Sequence, residues 1–227
     1  MINIAVDGPA GSGKSTISKL VANKLNEEYN MIYLDTGAIY RAVAYYLIKN
    51  ISDSDIDNEN MVVSISEDLS VDIRYIDGQQ RVYINGDDVT PYLRTEKVGE
   101  VTSKIAKYKK LRDILLDLQR DFAKNNNVIM DGRDIGTCVL PNASLKIFLV
   151  ADVNERARRR YEQYKESGHD YPFKKILSEL RNRDNNDINR SISPLKKADD
   201  AVEIDTTSMS IEEVVDKIIF ELRKNCG

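Results

Sequence analysis

The chain has 227 residues, of which 41% are hydrophobic and 31% charged, so a packed core is expected and a disordered chain is excluded. A formal net charge of −4 argues against a general nucleic-acid coat, which needs a broadly basic surface, and no apolar run approaches the ~18 residues of a membrane span. Two cysteines, Cys138 and Cys226, are too few for a disulfide framework or a four-thiolate zinc site, so both are expected as reduced thiols. Met1 runs straight into INIAVD with no basic leader and no cleavage-site pattern, which is the expectation for a cytoplasmic start.

The first element is a short apolar run, INIAVD (2–7), expected as a buried strand. A helix follows from near Lys14 to about residue 28, with Ile17, Leu20, Val21 and Leu25 at helical spacing. Four more short apolar runs, MIYL (31–34), NVIMD (127–131), LKIFLV (145–150) and AVEID (201–205), alternate with helical patterns. That rhythm predicts a parallel sheet covered on both faces. Between them, residues 69–90 alternate apolar and polar and carry the turn pairs Asp77-Gly78 and Asn85-Gly86, which predicts a small antiparallel insertion. Residues 152–190 are densely charged. Asp152 with Glu155 opens one helix, Gly168 closes it and Pro172 opens another, a helix–turn–helix suited to be a mobile lid, with the single histidine, His169, in its turn. Ser210 and Glu213 form a capping box before a final helix with Val214, Val215, Ile218, Ile219 and Leu222 on one face.

Between the first strand and the first helix stands GPAGSGKST, which fits G-x-x-x-x-G-K-[ST] at Gly8, Gly13, Lys14 and Ser15. Such a loop turns successive backbone N–H groups inward onto a phosphate, and the helix behind it adds its positive end. Lys14 can reach the β and γ phosphates, and the Ser15 hydroxyl can hold Mg²⁺. A nucleoside triphosphate with Mg²⁺ is therefore expected. The guanine-reading N-K-x-D pattern is missing: the one Asn-Lys pair, Asn23-Lys24, continues Leu25-Asn26.

Two strand ends carry further chemistry. LDTGAIYR (34–41) and IMDGRDIGT (129–137) each bring an arginine, Arg41 or Arg133, beside a carboxylate and a glycine. Asp131 ends its apolar run where an Mg²⁺-binding acid would, directly or through water. The lid adds Arg156, Arg158, Arg159, Arg160, Arg181, Arg183 and Arg190, although Arg183 and Asp187 have the spacing of a simple helical ion pair. Two anion sites on one sheet edge suggest transfer from phosphate to phosphate. That reaction needs no protein nucleophile, only positioning, charge neutralisation and exclusion of water.

GPAGSGKST, LDTGAIYRAVA, VIMDGRDIGTCVLPNASLKIFL and RNRDNNDINRSISPLKKADDAVEIDTT together resemble the bacterial cytidylate kinases, a family of nucleoside monophosphate kinases, nearly end to end. The resemblance implies a three-layer α/β fold of the P-loop kinase type, with a five-stranded parallel sheet, a small antiparallel insertion and a helical lid. It implies one domain: a core of 1–35, 93–151 and 191–227, a monophosphate-binding region of 36–92, and a lid of 152–190. It implies transfer of the ATP γ-phosphate to CMP and dCMP. Nothing in the sequence demands a dimer, and the chain is expected as a monomer without nucleic-acid or membrane partner. ATP phosphates would lie on Gly8, Pro9, Ala10, Gly11, Ser12, Gly13, Lys14, Ser15 and Thr16. Arg41, Arg133 and Arg190 would hold the acceptor phosphate, with Thr36 nearby. Ser103, Arg112 and Asp134 would read the cytosine edge, and Arg183 with Asp187 the sugar hydroxyls. Arg156, Arg159 or Arg160 would approach the transferring group. A P-loop kinase for UMP, AMP or shikimate, or a nucleotide-binding switch with no acceptor, is the competing expectation.

Overall fold

The computed structural model describes residues 1–168 and 170–226. His169, expected in the lid turn, and the side chain of Cys226 lie outside the described residues, while Cys138 is half-buried with its Sγ 3.8 Å from the Ser193 hydroxyl. In chain order the elements are β1 (Asn3–Asp7), α1 (Lys14–Tyr29), β2 (Ile32–Asp35), α2 (Thr36–Asn50), α3 (Asp53–Ile56), α4 (Glu59–Glu67), β3 (Val71–Ile76), β4 (Gln79–Ile84) and β5 (Asp87–Asp88). Then come α5 (Glu96–Ile105), α6 (Lys109–Asn125), β6 (Val128–Gly132), β7 (Leu145–Val150), α7 (Val153–Glu166), α8 (Phe173–Asn189), β8 (Val202–Asp205) and α9 (Ile211–Cys226). The chain divides into two compact units, residues 1–33 with 126–227, and residues 34–125, the division falling inside β2.

A five-stranded sheet has the order β2-β6-β1-β7-β8, and β1 pairs in parallel with both β6 and β7. β1 is central and buried on both faces, which is why it runs apolar without alternation from Ile4 to Val6 before Asp7. Strands reached through β6 lie on one side of it and β7 and β8 on the other, so the sheet reverses its winding at β1. That reversal is where open parallel sheets gather their ligands. The register sets Asp7 level with Gly132 of β6 and Phe148 of β7, so the glycine loop and the segment after β6 leave the same edge side by side.

The core of this unit packs Ile4, Val6, Ile129, Ile147 and Leu149 of the sheet against α1 and α9. On α1 the buried stripe is Ile17, Ser18, Val21, Ala22 and Leu25. Leu20, expected on that face, is exposed: at ~100° per residue it falls well outside a stripe centred on Val21 and Leu25. α9 starts as expected. Ser210 N donates to Glu213 at 2.8 Å and Glu213 N to the Ser210 hydroxyl at 3.2 Å, a reciprocal cap.

In residues 34–125 the predicted insertion is a separate antiparallel sheet, β3-β4-β5. Asp77 and Gly78 both adopt positive φ, the backbone a two-residue hairpin turn demands. A second apolar core joins α2 (Ile39, Val43, Leu47) to α5 (Val98, Val101, Ile105) and α6 (Leu111, Leu115).

One close approach holds the glycine loop to the sheet. A Cβ on Gly8, whose φ is +151°, would stand 2.2 Å from the carbonyl oxygen of Leu149 in β7. Gly8→Ala is therefore expected to cost about 3 kcal/mol in denaturant unfolding. A loss under about 0.5 kcal/mol would show that the loop moves off β7 at little cost.

Candidate active site

The glycine loop closes around its own lysine. Lys14, the first residue of α1, is buried, and its ammonium donates to the Pro9 carbonyl at 2.7 Å and to the Ser12 hydroxyl at 3.4 Å. Burial pulls its pKa well below the usual lysine value. The Arg133 and Arg183 charges push the same way, while Asp131 and Asp7 oppose them. Beside it, the Ser15 hydroxyl donates to Asp131 Oδ2 at 2.8 Å, and the Tyr33 hydroxyl donates to Asp131 Oδ1 at 2.8 Å. Asp131 is buried at the end of β6, so the two hydroxyls fix both of its oxygens. A hydroxyl and a carboxylate in contact are the oxygen donors that suit Mg²⁺, which takes few protein ligands beside phosphates and water.

The segment after β6 is gripped from β1. Asp7 accepts from Ile135 N at 2.8 Å and from Gly136 N at 2.7 Å, one backbone amide on each carboxylate oxygen. Ile135–Val139 forms a π-helical turn, and this grip sets the heading of the two residues before it. Arg133 turns to Asp187 of α8, Nε to Oδ2 at 2.6 Å. Burial works against the Arg133 charge, but Asp187, Asp131 and Asp184 outweigh it and hold the guanidinium above its ordinary pKa. Asp187 is held below its usual range by Arg133, Arg183 and Arg190, against the opposing effect of burial. The i,i+4 spacing of Arg183 and Asp187 does not by itself account for Asp187, since its carboxylate pairs with Arg133 just after β6. Asp134 is buried, and Arg190 Nη2 lies 3.4 Å from its Oδ1.

Three arginines of α7 hold protein partners. Arg156 is buried and donates to Ala151 O at 3.0 Å and Ala10 O at 2.8 Å. Arg159 donates to Glu155 at 2.9 Å and to the Thr206 hydroxyl at 3.2 Å. Arg160 lies over the Tyr164 ring, 4.9 Å from its centroid. Gly11 and Thr16 are exposed, and Gly13 caps α1.

The model of one family, cytidylate kinase, matches residues 4–224. The chain is 48% identical to the cytidylate kinase of Caldicellulosiruptor bescii, over 96% of this chain and 94% of that one. It is 46% identical to the cytidylate kinase of Bacillus licheniformis (95% and 93% covered) and 43% identical to that of Bacillus subtilis (96% and 95% covered). The chain belongs to the cytidylate kinase family.

In this member of the family the remaining expected residues lie in the 34–125 unit. Asp35 caps α2 by accepting Ala38 N at 3.0 Å and also takes Arg41 Nη2 at 2.6 Å. A Cβ on Gly37 would crowd that pair, 3.1 Å from Arg41 Nη1. Arg41 Nε is buried with no hydrogen-bond partner. Thr36 is buried at the first position of α2, and Arg112 is buried on α6 with its guanidinium 5.4 Å from the centre of the Tyr40 ring. Ser103 is exposed on α5 and returns its hydroxyl to Gly99 O at 3.1 Å.

Sequence reasoning did not single out Asp7, Tyr33 or Asp184. Asp7 had a signal, a carboxylate closing an otherwise apolar strand one residue before the glycine loop. Tyr33 had none, because an aromatic in a strand reads as core. Asp184 sits in a helix crowded with charges.

Burial raises the Asp7 pKa to about 6, against the two amide hydrogen bonds that favour its charge. The folded protein therefore binds the proton more tightly than the unfolded chain. Stability attributable to Asp7 falls as pH rises toward 6 and stays at its lower level above it. In urea titrations, the wild-type protein is expected to gain on Asp7→Asn when pH drops from 7.5 to 5. An identical stability difference at both pH values would mean that Asp7 does not titrate there.

Proposed function

We propose that this chain transfers the γ-phosphoryl group of ATP to CMP, giving ADP and CDP, and that dCMP serves as a second acceptor. The observation that carries the reading is a buried Lys14 inside the glycine loop, on the sheet edge that also presents Arg133 and Asp134 beside the charged helix α8, in a member of the cytidylate kinase family. An acceptor phosphate oxygen attacks the γ-phosphorus as the bond to the β–γ bridging oxygen breaks. The oxygen is already ionised near neutral pH, so no residue has to take a proton.

The chain's own work is to place and neutralise charge. Lys14 and the loop amides of Gly8 to Thr16 hold the β and γ phosphates. Ser15 and Asp131 would hold Mg²⁺, Asp131 directly or through a bound water, and the ion when bound would shield the phosphate charge. Arg133 and Arg190 in one unit, and Arg41 with Thr36 in the other, are proposed for the acceptor phosphate. Each of the three arginines stands against a carboxylate, Asp187, Asp134 or Asp35, which holds it in place. Asp134, Arg112 and Ser103 are proposed for the cytosine, and Arg183 and Asp187 for the sugar. Contact of Arg156, Arg159 or Arg160 with the transferring group requires each to exchange a protein partner it holds here.

Labelled ATP offered with CMP, dCMP, UMP, AMP or shikimate in turn is expected to yield labelled CDP and dCDP ahead of any other product. Label released only as inorganic phosphate, whatever the acceptor, would favour a nucleotide switch. Lys14→Ala should lower transfer at least about a thousandfold while leaving the melting midpoint within a few degrees; near-normal turnover refutes its role. Asp134→Asn should raise KM for CMP about tenfold or more and erode the preference over AMP, with KM for ATP little changed. Unchanged selectivity would remove Asp134 from the base site.

A further inference from the structure

We infer that Asp184, on lid helix α8, is a positioning residue that couples the lid to the glycine loop through Ala10. The inference rests on the phosphoryl-transfer reading above and concerns how the donor site is shaped.

Both main-chain polar atoms of Ala10 are taken by the lid. Asp184 Oδ1 accepts the Ala10 N–H at 3.3 Å, and Arg156 Nη1 of α7 donates to the Ala10 carbonyl at 2.8 Å. Arg156 Nη1 also lies 2.7 Å from Asp184 Oδ2, which closes a ring of loop backbone, guanidinium and carboxylate. The ring is largely dry: the side chains of Arg156 and Asp184 are 7% and 13% exposed. Below it the Ala10 methyl packs with Ala157, Ile176 and Leu180. Gly11, next along, would bring a Cβ within 3.5 Å of Arg156 Cβ and 3.7 Å of Leu180 Cδ2. Ala10 and Gly11 are thus shaped by the lid, while Gly8 is shaped by β7.

Asp184 decides the arrangement because its two oxygens do different work. One orients a loop amide and the other balances the buried Arg156 charge, which without it would be left against carbonyl oxygens alone. When α7 and α8 are seated, the loop between Pro9 and Ser12 is held in one form. When they lift, both Ala10 contacts are lost together. The donor pocket and the lid then share one equilibrium, and substitution at Asp184 reaches ATP through the loop without touching it.

The test uses Asp184→Ala, which removes both contacts, and Asp184→Asn, which keeps an acceptor for Ala10 N–H and loses the charge. Two readouts are taken: binding of a non-hydrolysable ATP analogue with no acceptor present, and steady-state KM for ATP and for CMP. Asp184→Ala is expected to weaken analogue binding and raise KM for ATP at least about tenfold, with KM for CMP at saturating ATP within about threefold. Asp184→Asn should fall between wild type and Asp184→Ala. Amide exchange at Ala10 should quicken in Asp184→Ala while that in α9 stays unchanged. A role in stability alone would lower the melting midpoint and the active fraction but leave both ATP constants intact, and that result overturns the inference. If Asp184→Ala itself fails to fold, Asp184→Asn decides: wild-type analogue binding and wild-type Ala10 exchange in that variant overturn it. Wild-type protein that binds no ATP analogue would instead refute the kinase reading itself.

Discussion

A buried ammonium is costly, and Lys14 is one. Its charge is set at the end of an apolar sheet, with two arginine charges adding to the strain and only the loop carbonyl, a serine hydroxyl and nearby carboxylates to offset burial. Burial and the two arginine charges make an anion beside that ammonium favourable. Much of the neighbouring structure serves to hold that arrangement in place. β7 presses on Gly8, β1 supplies Asp7, β6 supplies Asp131, and the lid takes hold of Ala10.

The same logic recurs with the arginines. None of Arg41, Arg133 or Arg190 stands alone; each is matched to a carboxylate that fixes its direction. A phosphate approaching such a pair finds a donor whose entropy is already spent, and meets it at the cost of displacing or sharing a carboxylate. The arrangement favours ligands of high charge over neutral ones, since only a strong acceptor competes with Asp187 or Asp35.

Two devices fix backbone where side chains must point. Asp7 takes two consecutive amides and so sets the turn after Arg133 and Asp134. Asp131 is fixed by two hydroxyls, one from the glycine loop and one from β2, and its oxygens cannot wander. Carboxylates that accept from the protein's own amides and hydroxyls are the usual way for a rigid sheet edge to aim a loop.

The sequence by itself determined the alternation of strands and helices, the parallel sheet, the small antiparallel insertion, the glycine loop and its lysine, and the family. These are local: apolar runs of strand length, paired turn residues at Asp77-Gly78, capping at Asp152 and Ser210, and a glycine pattern with one geometric solution. Only the tertiary structure decided the partners of the charged residues. Arg133 meets Asp187 across 54 positions of sequence, and Ala10 meets Asp184 across 174. A lid arginine is the same string of letters whether it turns to Glu155, to a tyrosine ring or to the loop. The choice among them depends on which carboxylate the packing of α7 and α8 brings within reach, and spacing along one helix carries no record of that. Burial also reversed one local reading, leaving Leu20 exposed, because the face of α1 that meets the sheet and α9 is set by their packing, not by apolar spacing alone.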